Sequence, residues 1–340
     1  MKLRKIFATA IMALVMCTGM LAQSVSMKDV RIYINPGHGS WTANDRPMGT
    51  VKHGANDAYS DVNNDTTNFF ESNTNIQKAL AMLAKLEEFG VPFDRTKNQT
   101  GKRWEIGAAK DMTQNIVMSH VKAGGHPAYT NYTNHTENPE NDYYNRALSE
   151  ISAEVEFNDF DIFVSIHSNA LEEGTNTNYP LLIYRGTNEQ EGNPGSKAMC
   201  KAVWPYVYGM GHHQWTSFSM TRMCIYGDIS FYGESSTKYH KIPTGSNWEY
   251  NENTEFSEYN KTTGYVGYTG DLGVIKHGVP GFLAEGYFHT YQPSRHRYMN
   301  WDVCHLEGVA YARGIADYFG WNVAAKDTKG TIYGIVRDLH

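Results

Sequence analysis

Three short apolar runs in this chain each end in a residue suited to metal chemistry. Arg31-Ile32-Tyr33-Ile34-Asn35-Pro36-Gly37-His38-Gly39 is the first and Asp161-Ile162-Phe163-Val164-Ser165-Ile166-His167-Ser168-Asn169 the second. Gly281-Phe282-Leu283-Ala284-Glu285-Gly286 is the third. Runs this short and this continuously apolar are what strands of a parallel sheet look like when both faces are covered. Open α/β sheets carry their ligand crevice outside the carboxyl ends of such strands. Two imidazoles and a carboxylate, distant in sequence, are therefore expected to converge at one sheet edge. A site assembled that way needs one continuous sheet, so a single α/β domain over residues 27–322 is expected, with insertions at about 97–144 and 173–279.

Helical periodicity fills the space between the runs. Over residues 71–89, Ile76, Leu80, Leu83 and Leu86 share a face, and Gly90 with Pro92 supplies the stop. Residues 91–96 then read as a second strand ending in Arg95-Thr96, and a helix is expected near 105–120. Residues 145–157 are helical, with Leu148, Ile151 and Val155 on one side, and feed directly into the His167 strand. The stretch 173–279 is Tyr-, Asn- and Gly-rich. At that length it is expected to carry strands of its own and a helix near 195–208. Residues 302–319 read as a closing helix. Beyond a linker from 326, residues 331–338 read as the first strand of an appended β-sandwich or as a terminal edge strand.

The amino terminus has a different logic. Lys2, Arg4 and Lys5 precede an apolar run from Ile6 to Ala22 and a small-residue exit. That is the pattern of a cleaved signal peptide over residues 1–24, too short for a membrane anchor. An exported protein, periplasmic or secreted, is expected. Removing the three cations takes the net charge from -6 to about -9. Such a chain is a poor binder of polyanions, so nucleic acid is not an expected partner. Cys200, Cys224 and Cys304 remain after cleavage, an odd count that argues against a disulfide framework.

The chemistry follows from the donor types. A catalytic zinc site takes three protein ligands of His and carboxylate type and keeps one position open. His38 and His167 supply two. Glu71, at the start of the helix beside the first strand, is the candidate third, and Asp57, Asp61 and Asp65 in the preceding loop are alternatives. Zinc lowers the pKa of bound water to ~7 and polarises a carbonyl. A general base must still take the proton. Glu285 follows Phe282-Leu283-Ala284, and burial there would raise its pKa toward a useful range. Each residue alone has a plainer reading. A histidine after a strand can be a hydrogen-bonded structural residue, and Glu71 a favourable charge at a helix start. Glu285 can be an ion-pair partner for Arg95 or Arg146. The four together outweigh those readings. Among other histidines, His212 and His213 are adjacent and face opposite ways on a strand. His277 and His289 flank the Glu285 run, and His289 reads as a solvated rim residue or a substrate contact.

Pro36-Gly37-His38-Gly39, Ser165-Ile166-His167-Ser168-Asn169-Ala170 and Ala284-Glu285-Gly286-Tyr287-Phe288 resemble the signature blocks of the zinc-dependent N-acetylmuramoyl-L-alanine amidases of the amidase_3 family. The resemblance implies a three-layer sandwich around a mostly parallel sheet. It implies that His38, Glu71 and His167 bind Zn2+ and that Glu285 is catalytic. The implied reaction is hydrolysis of the amide between N-acetylmuramic acid and L-alanine in peptidoglycan, with a zinc-held water as nucleophile and Glu285 as general base and acid. The chain departs from the family where Tyr287-Phe288-His289-Thr290-Tyr291 follows the glutamate, and in the long gap between His38 and Glu71. Two other readings stay open: a catalytically silent cell-wall-binding module, and a zinc hydrolase of another amide substrate.

Overall fold

The computed structural model describes residues 25–37, 71–94, 112–119, 148–171, 176–211, 223–232, 272–275, 277–299 and 301–327, with two short strand pairs. The expected signal peptide, His38, the 39–70 loop, Arg95, Arg146, His212, His213 and the terminal 331–338 run lie outside the described residues.

In chain order the strands are β1 (Ile32–Pro36), β2 (Gln99–Thr100), β3 (Arg103–Trp104), β4 (Ile116–Met118) and β5 (Ile162–Asn169). They continue with β6 (Leu181–Tyr184), β7 (Ile225–Gly227), β8 (Trp248–Tyr250), β9 (Glu258–Asn260) and β10 (Gly281–Phe288). The helices are α1 (Glu71–Phe89), α2 (Leu148–Phe157), α3 (Ser196–Tyr208), α4 (Asp228–Tyr232), α5 (Gln292–Met299) and α6 (Asp302–Tyr318).

Six strands form the central sheet in the order β4-β1-β5-β10-β6-β7. Every neighbouring pair is parallel except β10 with β6. The core strands look continuously apolar because alternate side chains enter two different cores. Ile32, Ile34, Val164, Ile166, Phe282 and Ala284 pack with apolar residues of α1, α3 and α6. Tyr33, Val117, Phe163 and Leu283 point the other way, into Ile151 and Val155 of α2 and Val274 and Ile275. The result is the expected mixed α/β three-layer arrangement, helices on both faces of a mostly parallel sheet.

Helix α1 has the expected bounds because Ile76, Ala79, Leu83 and Leu86 recur every three to four residues and are all buried. Val91–Asp94, the described part of the expected strand at 91–96, is irregular. The strand beside β1 is instead β4, inside the stretch expected to be helical near 105–120. Ile116-Val117-Met118 is too short to show a period, and pairing with β1 rather than local propensity decides its state. Within 173–279, β6, β7 and α3 join the main fold, so its expected strands and helix are present as sheet edge and cover. Cys200, Cys224 and Cys304 are buried thiols with no disulfide. Among the described residues no helix is long and apolar enough to cross a membrane.

His277 shows what the second core costs. Its ring packs edge-on against Phe163 at 4.4 Å and is fully buried. Burial first, then the nearby Arg185 charge, hold its pKa down at about 3. The folded state therefore refuses a proton that the unfolded chain accepts below pH ~6.5. Stability from this residue is present at neutral pH and is expected to fall by up to ~1.4 kcal/mol per pH unit between those two values. Urea midpoints from pH 7 to pH 4 should fall less steeply for His277→Leu than for the wild type. Parallel slopes would remove His277 as the cause.

Candidate metal centre

Strands β1, β5 and β10 lie side by side and parallel, so their carboxyl ends share one edge of the sheet. Pro36 is in register with Ile166, and Glu285 with His167. Residues in register on neighbouring strands project from the same face about 5 Å apart, which sets Glu285 beside His167. Gly37 continues β1, its N–H donating to the Ile166 carbonyl at 2.9 Å.

Gly37 has to be glycine here. A Cβ at that position would lie 2.0 Å from His167 Cε1 and 2.2 Å from its Nε2. The imidazole thus lies where a side chain on Gly37 would be. It is seated directly beside the residue that precedes His38 in the chain.

Glu71 enters from the first turn of α1, where a carboxylate also suits the helix dipole. It is buried, and its Oε1 lies 3.4 Å from His167 Nδ1. The same oxygen accepts the Ser168 N–H at 2.8 Å and the Asn75 side-chain amide at 3.3 Å. Asn75 Nδ2 also reaches the Gly37 carbonyl at 3.2 Å. One turn along α1, Asn75 therefore ties the Glu71 carboxylate to the end of β1, a role that the sequence reading missed. Its signal was present, since residues i and i+4 share a helix face.

Burial raises the pKa of Glu285 well above the ordinary carboxylate value, the nearby Glu71 charge raises it further, and Lys78 opposes both. Among the described residues the near cation is Lys78. Two mutually repelling carboxylates beside an imidazole form a site that a cation would stabilise. The donor set also suits zinc. Two donors ~2.0–2.1 Å from one tetrahedral ion stand ~3.3 Å apart, close to the 3.4 Å between Glu71 Oε1 and His167 Nδ1. Among the described residues no group of three or more His, Cys, Asp or Glu side chains is arranged to hold a metal. His38 and the alternative donors Asp57, Asp61 and Asp65 are outside them.

The flanking histidines are not at a solvated rim. His289 is buried, with Nδ1 2.9 Å from Ser168 Oγ and its main-chain N–H donating to the Asn169 carbonyl. His277 lies in the second core against Phe163. The physical reason is the eight-residue length of β10, which carries the chain past Glu285 and packs its continuation against β5.

No protein-family model matches the chain, and no curated protein matches it. Among solved structures it is similar to an N-acetylmuramoyl-L-alanine amidase from Clostridium difficile 630, at 16% identity and a TM-score of 0.45, over 90% of this chain and 100% of that one. It is similar to a Nostoc punctiforme amidase of the same description, at 13% identity and a TM-score of 0.46, over 86% and 97%. A third, from Mycobacterium smegmatis, gives 12% identity and a TM-score of 0.48 over 87% and 99%.

Proposed function

We propose that the chain is a zinc-dependent amidase that cleaves the bond between N-acetylmuramic acid and L-alanine in peptidoglycan. The observation that carries this reading is the approach of Glu71 to His167 at 3.4 Å, with Glu285 in register beside it. Residues from three distant parts of the chain, each picked out by a signature-like block or a helix start, come together at one strand edge. His38, Glu71 and His167 would hold the ion. Bound there, zinc would supply a Lewis acid for the scissile carbonyl and make water acidic enough to be activated near neutral pH.

The chain's own residues do the rest. Glu285, in register with His167, takes the proton from the attacking water and returns it to the leaving nitrogen. Its raised pKa makes it a stronger base than an exposed glutamate and a usable acid on the return step. Glu71, held by the Ser168 N–H and by Asn75, keeps one orientation while it serves as ligand. Under this reading the protein is exported by its amino-terminal signal and acts on the cell wall without a stable membrane anchor.

Purified sacculi digested with the full mature protein should release stem peptides that begin at L-alanine. A chelator should abolish release and zinc restore it. Release that survives thorough chelation sinks the zinc assignment; products with any other new end sink the amidase assignment. Sacculi bound but not cut would point to a silent wall-binding module.

A further inference from the structure

Beneath the site lies a charged pair that none of these steps uses. Lys78 of α1 and Glu307 of α6 meet at 2.8 Å, both side chains wholly buried. Lys78 Nζ also donates to the His167 carbonyl at 2.8 Å and sits 4.4 Å from the centre of the Tyr298 ring. Glu307 accepts the Tyr298 hydroxyl at 2.5 Å and the Tyr311 hydroxyl at 3.1 Å. Its Oε1 lies 3.5 Å from the Tyr287 main-chain N, which also donates to the Tyr298 hydroxyl at 2.6 Å. Gly286 makes the approach feasible, since a Cβ there would lie 2.6 Å from Glu307 Oε2.

A buried ion pair seldom stabilises more than apolar residues of the same volume, because desolvation offsets the attraction. The partners of this pair indicate another use. One end bonds the main chain of β5 at His167, and the other bonds β10 at the Tyr287 N–H, close against Gly286 and just past Glu285. We propose that Lys78 and Glu307 are positioning residues, a clamp that holds the ends of β5 and β10 so that the His167 imidazole and the Glu285 carboxylate keep their mutual geometry. The inference rests on the zinc amidase reading and extends it to side chains that touch neither metal nor substrate.

The double variant Lys78→Met/Glu307→Leu removes both charges at near-constant volume. It is expected to melt below the wild type, because the Tyr298 and Tyr311 hydroxyls and the His167 carbonyl lose partners, to bind zinc on the order of tenfold more weakly in chelator competition while folded, and to lose on the order of a hundredfold in kcat with little change in KM. A folded double variant with unchanged zinc affinity and kcat overturns the proposal. Should that variant fail to fold, Tyr298→Phe keeps the ring under Lys78 and deletes only the hydroxyl shared by Glu307 and Tyr287. It is expected to lower kcat several-fold at constant KM, and an unchanged kcat there overturns the clamp equally. The wild type is measured alongside. If it binds zinc but releases no stem peptide, the amidase reading fails and the zinc affinities of the variants still judge the clamp. A wild type that binds no zinc overturns both.

Discussion

Glu285→Gln is expected to keep zinc and to lose roughly 10²–10⁴ in turnover, the usual contribution of a placed general base. Glutamine matches glutamate in size and shape, so a loss of this size reports proton transfer and not packing. The pH profile supplies a second check. The raised pKa of Glu285, caused first by burial and next by the Glu71 charge, keeps it protonated at pH values where an exposed glutamate is ionised. A bound ion's charge would offset this shift in the loaded enzyme, so the check is made on the metal-free protein, through the pH dependence of its stability. The same shift has a cost in stability. Ionised Glu285 destabilises the folded state, and that cost grows as pH rises past the unfolded-state value toward the folded one. Without metal, Glu285→Gln should thus melt higher than the wild type at neutral pH. A variant that melts lower, or that turns over normally, removes Glu285 from the role of half-buried base.

Glu71→Ala is expected to behave in the opposite way, losing zinc by more than the ~10–100-fold that an outer-shell change costs. Activity should fall with occupancy and recover partly at high zinc. The Ser168 N–H and the Asn75 side chain lose their shared acceptor, so a destabilisation of about 1–3 kcal/mol should accompany the loss. Isothermal titration with zinc, paired with thermal melts, separates the two effects. If Glu71→Ala binds zinc normally, the carboxylate ligand is one of Asp57, Asp61 or Asp65. The long gap after His38 left that choice open in the sequence; Glu71 lies 3.4 Å from His167, and the three aspartates are outside the described residues.

Legibility in the sequence tracked the range of the interactions concerned. Helix α1 emerged at its full extent because Ile76, Leu83 and Leu86 repeat within one element. Strands β1, β5 and β10 emerged because burial on both faces makes whole segments apolar. The edge strand β4 did not. Its three residues carry no period, and only the facing backbone of β1 makes them a strand. Residues 91–94 failed in the other direction: Val91 and Phe93 look like strand residues, yet they form none.

The site divides along the same line. Local pattern determined that His167 and Glu285 stand towards the carboxyl ends of buried strands and that Glu71 opens a helix, because each of those facts resides within a dozen neighbouring residues. Only the tertiary structure decided that the His167 ring rests over Gly37, that Asn75 bridges Glu71 to the end of β1, and that Lys78 meets Glu307 beneath the His167 carbonyl. Those contacts join residues from 4 to 229 positions apart, the longest being Lys78 to Glu307. Their existence depends on how two helices and three strands close around a common volume, and a linear pattern does not encode that closure.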